Sequence, residues 1–244
     1  MKKIILLILV NFYLLQFLYS NNLTADSILI EVDNNLYTIT AKFDAEMNIK
    51  YNDGRVEIKK LKITSSGKEK SFSEFYYPNK DKGLKYLRIN DKLWMYHPEA
   101  EKIITISGHQ LRQSANGSDF SYEDLLERSK KLIEYYTPQI VSEDEKIYVL
   151  DLTAKKKDIT YYRRKLWINK ETMLPEKEEY YAKTGKLLKV FENFEIKKFK
   201  NRYYPTHIRV KDVIKNQSQT DLYFKELNFD IKLSDDEFSQ NRLK

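Results

Sequence analysis

Two of the chain's three histidines, His97 and His109, share the stretch LWMYHPEAEKIITISGHQLRQSANGSDFSYEDL (93–125) with Ser114, Ser118, Ser121 and Asp119. Imidazole, hydroxyl and carboxylate are the parts of a nucleophilic site, but a nucleophile also needs its base and orienting acid placed around it. No G-x-S-x-G elbow, G-x-G-x-x-G or Walker pattern surrounds them. No histidine pair has the i,i+4 interval of a helical metal site. There is no cysteine to assist, and carboxylates do not join the histidines at a ligand spacing. No metal, cofactor or catalytic residue is therefore expected. Glycoside hydrolysis needs only a carboxylate pair, and 36 acidic residues leave that class open. Gly117-Ser118-Asp119 reads better as a loop leading into a helix capped at Ser121. His97, before Pro98 at a strand end, and His207, within a strand, read as turn and surface imidazoles. The basic loop 108–112 has the chemistry to meet phosphate or lipid headgroups.

The elements that must position these groups are mostly strands. In TAKFDAEMNIKYNDG (40–54), Phe43, Ala45, Met47, Ile49 and Tyr51 alternate with polar residues, the period of a strand with one apolar face. Asn52-Asp53-Gly54 supplies a turn. RVEIKKLKIT returns with a phase slip between Ile58 and Leu61, where a bulge is expected. Further strands are expected at 70–77, 84–89, 92–97, 102–107, 146–154, 159–168, 175–182, 186–196, 202–214 and 220–229. With the first pair this makes about 11–12, at the close spacing of an antiparallel sheet. The six glycines all fall between these runs. Two segments carry helical periodicity. Thr24 to Leu36 places Ile28, Leu29, Val32 and Leu36 on one face. Ser121 to about Tyr136 opens with Ser121-x-x-Asp124, continues through Leu125, Leu126, Ser129, Leu132 and Ile133, and stops before Pro138. The fold class is mainly β (α+β), one long one-faced sheet that must curl to bury its apolar side, with helices available to close it.

Lys2 and Lys3 precede an apolar run, Ile4 to Leu18, then Tyr19-Ser20. This is the pattern of an export signal (1–20), and the run is shorter than the ~20 residues of a membrane span. A single domain over 21–244 is expected. Without cysteine the exported chain has neither disulfides nor a lipid-anchor thiol, so its core alone must hold it together. The net charge is +7, but the 43 basic residues are interspersed with the acids along the chain, which argues against nucleic acid as a partner.

The blocks INDKLWMYHPEAEKI (89–103) and ISGHQLRQSANGSDFSYEDL (106–125) resemble the LolA-like outer-membrane lipoprotein-sorting family, most closely its longer members. Trp94, Tyr96 and Pro98 match the family's W-x-Y-x-P strand end. Ser107 to His109 and Gly117 to Leu125 match its loop, and Pro78 and Gly83 a pattern upstream. Weaker similarity runs on to Tyr204-Pro205-Thr206. The resemblance implies a half-open barrel with lid helices over an apolar cavity, in a soluble periplasmic carrier. Such a carrier shields the acyl chains of acylated lipoproteins on the way from inner to outer membrane. An inner-membrane ABC-type release complex would load it; the outer-membrane acceptor stays unidentified. Cavity positions would come from Phe43, Met47, Ile49, Leu87 and Ile89, and from 93–96. There the family-matched parity is Trp94 and Tyr96, the alternate Leu93 and Met95. Asp119, Ser121, Leu125 and Leu126 would belong to the loop and lid. The shorter carriers latch the lid with an arginine of an Arg-Pro pair, which 64–75 lacks. A carrier of free lipid or glycolipid, or a lipoprotein-sensing module on the same fold, is the competing reading.

Overall fold

The alternation in 40–51 becomes β1 (Thr40–Tyr51), whose residues 41, 43, 45, 47 and 49 are all buried. In the computed structural model, residues 23–36, 40–127, 131–157, 159–200, 202–215 and 218–244 are described. The expected export segment and Ser129 lie outside them. The remaining strands are β2 (Val56–Ser66), β3 (Lys70–Tyr77), β4 (Lys85–Ile89), β5 (Lys92–His97), β6 (Lys102–Ile106), β7 (Tyr136–Glu143), β8 (Ile147–Ala154), β9 (Arg163–Asn169), β10 (Leu174–Tyr181), β11 (Leu187–Phe199), β12 (Arg202–Asp212) and β13 (Ser218–Phe229).

All thirteen form one antiparallel sheet in the order β6-β5-β4-β3-β2-β1-β13-β12-β11-β10-β9-β8-β7, so β6 and β7 are its edges and it does not close. Phe75 on β3 and Phe191 on β11 are separated by four strands, yet both belong to one apolar cluster on the inner face. On a flat sheet they would stand roughly 24 Å apart at about 4.8 Å per strand. The sheet is therefore strongly curled, a half-open barrel.

The strand beyond the expected set is β7. The helix expected from Ser121 to Tyr136 is instead two short pieces, α2 (Tyr122–Glu127) and α3 (Leu132–Tyr135), and Tyr136 already pairs with Ala154 of β8. Lys131, extended at ψ 120°, starts α3 afresh. Pro138 sits inside β7, where an edge strand tolerates its missing N–H. The expected bulge also moves. β1 and β2 pair without interruption, and the register shifts between β2 and β3, where Lys60↔Tyr77 is followed by Leu61↔Phe75. The phase slip in the sequence arises because Lys59, not Ile58, turns inward. Lys59 is buried and bonds Asp81 at 2.6 Å, while Ile58 is exposed.

The N-terminal helix, α1 (Ala25–Leu36), starts where the Thr24 hydroxyl accepts the Ser27 N–H. Its Ile28, Leu29 and Val32 fill the inner face of β7 to β9. Its Asp33, also buried, accepts the backbone N–H groups of Leu132 and Ile133 at 2.9 and 3.0 Å, and so caps α3. On the outer face, Phe238 and Leu243 near the C-terminus pack on Phe72 and Leu87.

Candidate functional site

α1 fills one half of the concave face. The other half, from β1 to β5 and β12 to β13, is not filled. A cavity of about 210 Å³ lies there, under the loop that follows β6. One water needs roughly 10–15 Å³ by the same measure, so this is far more than a packing defect. Phe43, Met47, Leu61, Ile63, Phe75, Leu93, Leu125, Ile208, Leu222 and Phe224 are among its apolar lining. The polar lining is Ser71, Ser73, Tyr86, Arg88, Asn116 and Ser118.

The loop is fastened by buried polar groups. Asp119 is fully buried. Its Oδ1 accepts the Ser218 hydroxyl at 3.1 Å and the Asp212 N–H at 3.2 Å, its Oδ2 accepts the Thr220 hydroxyl at 2.7 Å, and its own N–H donates to Thr220 Oγ1. Both carboxylate oxygens are thus committed to β12 and β13. Ser121 and Asp124 form a reciprocal cap at the start of α2: Ser121 N–H donates to Asp124 Oδ2 at 2.6 Å, and Asp124 N–H to Ser121 Oγ at 3.3 Å. Asp124 also accepts from Tyr161 Oη and Lys189 Nζ, each at 2.5 Å, and Lys189 donates a second bond to the Asp119 carbonyl at 2.8 Å. Burial, reinforced by the Asp124 charge, pushes the Tyr161 phenol well above its ordinary value, so it stays a donor.

Of the expected cavity positions, Phe43, Met47 and Leu93 line the cavity, and Ile49 and Met95 belong to the same inner cluster. Leu87, Ile89, Trp94 and Tyr96 do not. Register places them on the outer face, in the cluster formed with Phe72, Phe238 and Leu243. The family-matched parity of β5 is therefore the outward one, and the alternate pair faces in. Leu125 lines the cavity, and Leu126 packs in the inner cluster beside it. Ser121 caps α2 with Asp124, and Asp119 ties the loop to β12 and β13. Sequence reasoning missed Lys189, Tyr161 and Thr220. Lys189 alone left a trace, a lysine at an inward-phase position of β11. Gly83 adopts φ +82°, which a side chain would strain, although an added Cβ would meet the Pro98 ring only at ordinary contact distance, 3.5 Å. The three histidines are not brought together into a metal site, and no metal-ligand cluster occurs among the described residues.

A family model described as "Uncharacterized protein" matches residues 67–244. No curated protein matches the chain. Among solved structures, the chain is similar to a DUF1329 family protein from Desulfovibrio piger ATCC 29098, with TM-score 0.81, 25% identity, and 90% of this chain and 98% of that one covered. It is similar to a LolA superfamily protein from Nitrosomonas europaea, with TM-score 0.75, 24% identity and coverage of 90% and 99%. It also resembles a Vibrio parahaemolyticus domain described as of the outer membrane lipoprotein-sorting type, with TM-score 0.77, 22% identity and coverage of 90% and 97%.

Proposed function

Since the chain belongs to the family whose model spans 67–244 and has the LolA-like fold, we propose that it is an exported periplasmic carrier. It shields acyl chains of lipoproteins in its cavity and moves them from inner to outer membrane. The observation that carries this reading is the 210 Å³ cavity, left unfilled on the concave face while α1 fills the other half of the same sheet. An acyl chain gains ~0.8 kcal/mol for each CH₂ removed from water, so an unfilled apolar wall is a binding site for one. Met47, flexible and polarizable, suits chains of differing shape. Asp119, Asp124 and Lys189 hold the loop over the cavity without contributing apolar bulk to it, so they can let go without dismantling the core. An inner-membrane ABC-type complex is the expected loader. The reading is one of binding, not catalysis. Among the described residues no helix is long and apolar enough to cross a membrane.

Native mass spectrometry of the mature protein from the periplasm of its own host tests this. Co-purifying acylated lipoprotein supports the carrier reading. A protein that is empty, and also fails to bind a fluorescent fatty acid, overturns it.

A further inference from the structure

The cavity lining contains one formal charge, the Arg88 guanidinium, and no carboxylate. Arg88 extends inward from β4 between Ser71 of β3 and Leu93 of β5, its register partners. It is only 5% exposed. Its Nε donates to Ser71 Oγ at 3.3 Å and its Nη1 to the Asn90 carbonyl at 3.4 Å, both long; Nη2 donates to no described residue. Among the described residues no acid lies within ion-pair distance of it, although Asp91 and Glu69 contribute at longer range. Burial pulls its pKa down to about 10, still charged at neutral pH. One more donor on the same wall is buried without a partner, Asn116 Nδ2. Buried donors in native proteins are almost always satisfied, and a buried cation most of all. Arg88 lines the cavity, and among the described residues no acceptor takes its Nη2.

We propose that the cavity takes an anionic amphiphile, whose carboxylate or phosphate oxygens are bound by Arg88 while its chain lies along Phe43, Met47, Ile208 and Leu222. This rests on the reading that the cavity carries acyl chains and points its cargo to a lipid with an acidic headgroup, held at the Ser71–Ser73–Arg88 end of an otherwise apolar site. A neutral acyl chain alone would leave the guanidinium dry and unpaired. A planar oxyanion can accept two parallel N–H bonds from it, and bonds to an ionised acceptor are roughly twice as strong as neutral ones.

The test compares ligands with the same sixteen-carbon chain (a chosen probe length of about sixteen carbons, near that of membrane acyl chains). Palmitate, hexadecyl phosphate and hexadecanol each displace a cavity-bound fluorescent fatty acid analogue from the full mature protein, at concentrations below micelle formation. At least one of the two anions should bind about tenfold more tightly than hexadecanol, and Arg88→Gln should remove the difference. Palmitate ahead of hexadecyl phosphate identifies a carboxylate cargo, and the reverse order a phosphate-headed lipid. Equal binding of all three by the wild-type protein overturns the Arg88 site but leaves the carrier. A preference that survives Arg88→Gln also overturns it. Binding of none overturns the carrier reading as well. If Arg88→Gln does not fold, the wild-type comparison decides the matter by itself.

Discussion

Lys189, on the inner face of β11, holds its ammonium 2.5 Å from Asp124 Oδ2 at the start of α2, with both side chains buried. The two residues are 65 apart in the chain, and their pairing joins the loop over the cavity to the sheet beneath it. A buried pair of this kind adds little net stability relative to an apolar pair, but removing one partner strands the other in a dry site.

Lys189→Met is therefore expected to destabilise the protein by about 3–5 kcal/mol, and Lys189→Met with Asp124→Leu by less than either change alone. Thermal melting of the single and double variants checks the sign. Hydrogen exchange should show the loss concentrated in 107–127. Uniform loss across the sheet would mean that the pair supports the core rather than the loop.

Asp119 makes its bonds to the Asp212 N–H and to the Ser218 and Thr220 hydroxyls with no water access. Asp119→Ala should cost about 2–3 kcal/mol, because three donors lose their acceptor at once. Thr220→Val, which keeps the shape, should cost about 1–2 kcal/mol. Denaturant titration measures both.

The inner and outer faces of the sheet should separate cleanly. Met47→Trp, placed in the cavity, should abolish binding of a fluorescent fatty acid with little loss of stability. Trp94→Ala should leave binding intact and lower stability by about 2 kcal/mol, through its contact with the Phe238–Leu243 cluster. Binding that responds to Trp94 and not to Met47 would contradict the placement of the cavity.

Asp221, buried on the outer face, contacts His207 at 2.7 Å, Arg209 at 2.8 Å and Lys50 at 3.1 Å. Burial alone would raise its pKa, but hydrogen bonds from His207, Gln219, Lys50 and Arg209 win and hold it below the usual carboxylate range. A carboxyl depressed in the folded state contributes fully above its unfolded value of ~3.9 and loses that contribution as pH falls through the folded value. Asp221→Asn should therefore melt lower than the wild type at pH 7, with the gap closing below about pH 3. Melting curves at both values check it.

The sheet was legible in the sequence because each strand carries its own evidence. β1 alternates over its length, breakers fall between runs, and α1 shows its apolar stripe, so strand count and fold class follow from local periodicity. The cap at Ser121 and Asp124 was legible for the same reason, since its two partners are three residues apart. β7 was hidden because Leu132 and Ile133 continue a helical spacing, and because Pro138 reads as a helix stop before it reads as an edge-strand residue.

Periodicity decides nothing where both faces of a strand are covered. In β5, Leu93 lines the cavity and Met95 packs in the same inner cluster while Trp94 and Tyr96 lie under Phe238 and Leu243, so both parities are apolar and the pattern has no phase to read. The fastening of the loop depends on Lys189, Tyr161 and Thr220, and the buried donors of the cavity wall on Arg88 and Asn116. These meet only when distant strands curl together. Alternation along a chain specifies which residues turn the same way, and it determined the sheet. Curvature and the packing of α1 and the C-terminal residues determine what each face meets, and those are properties of the closed arrangement alone.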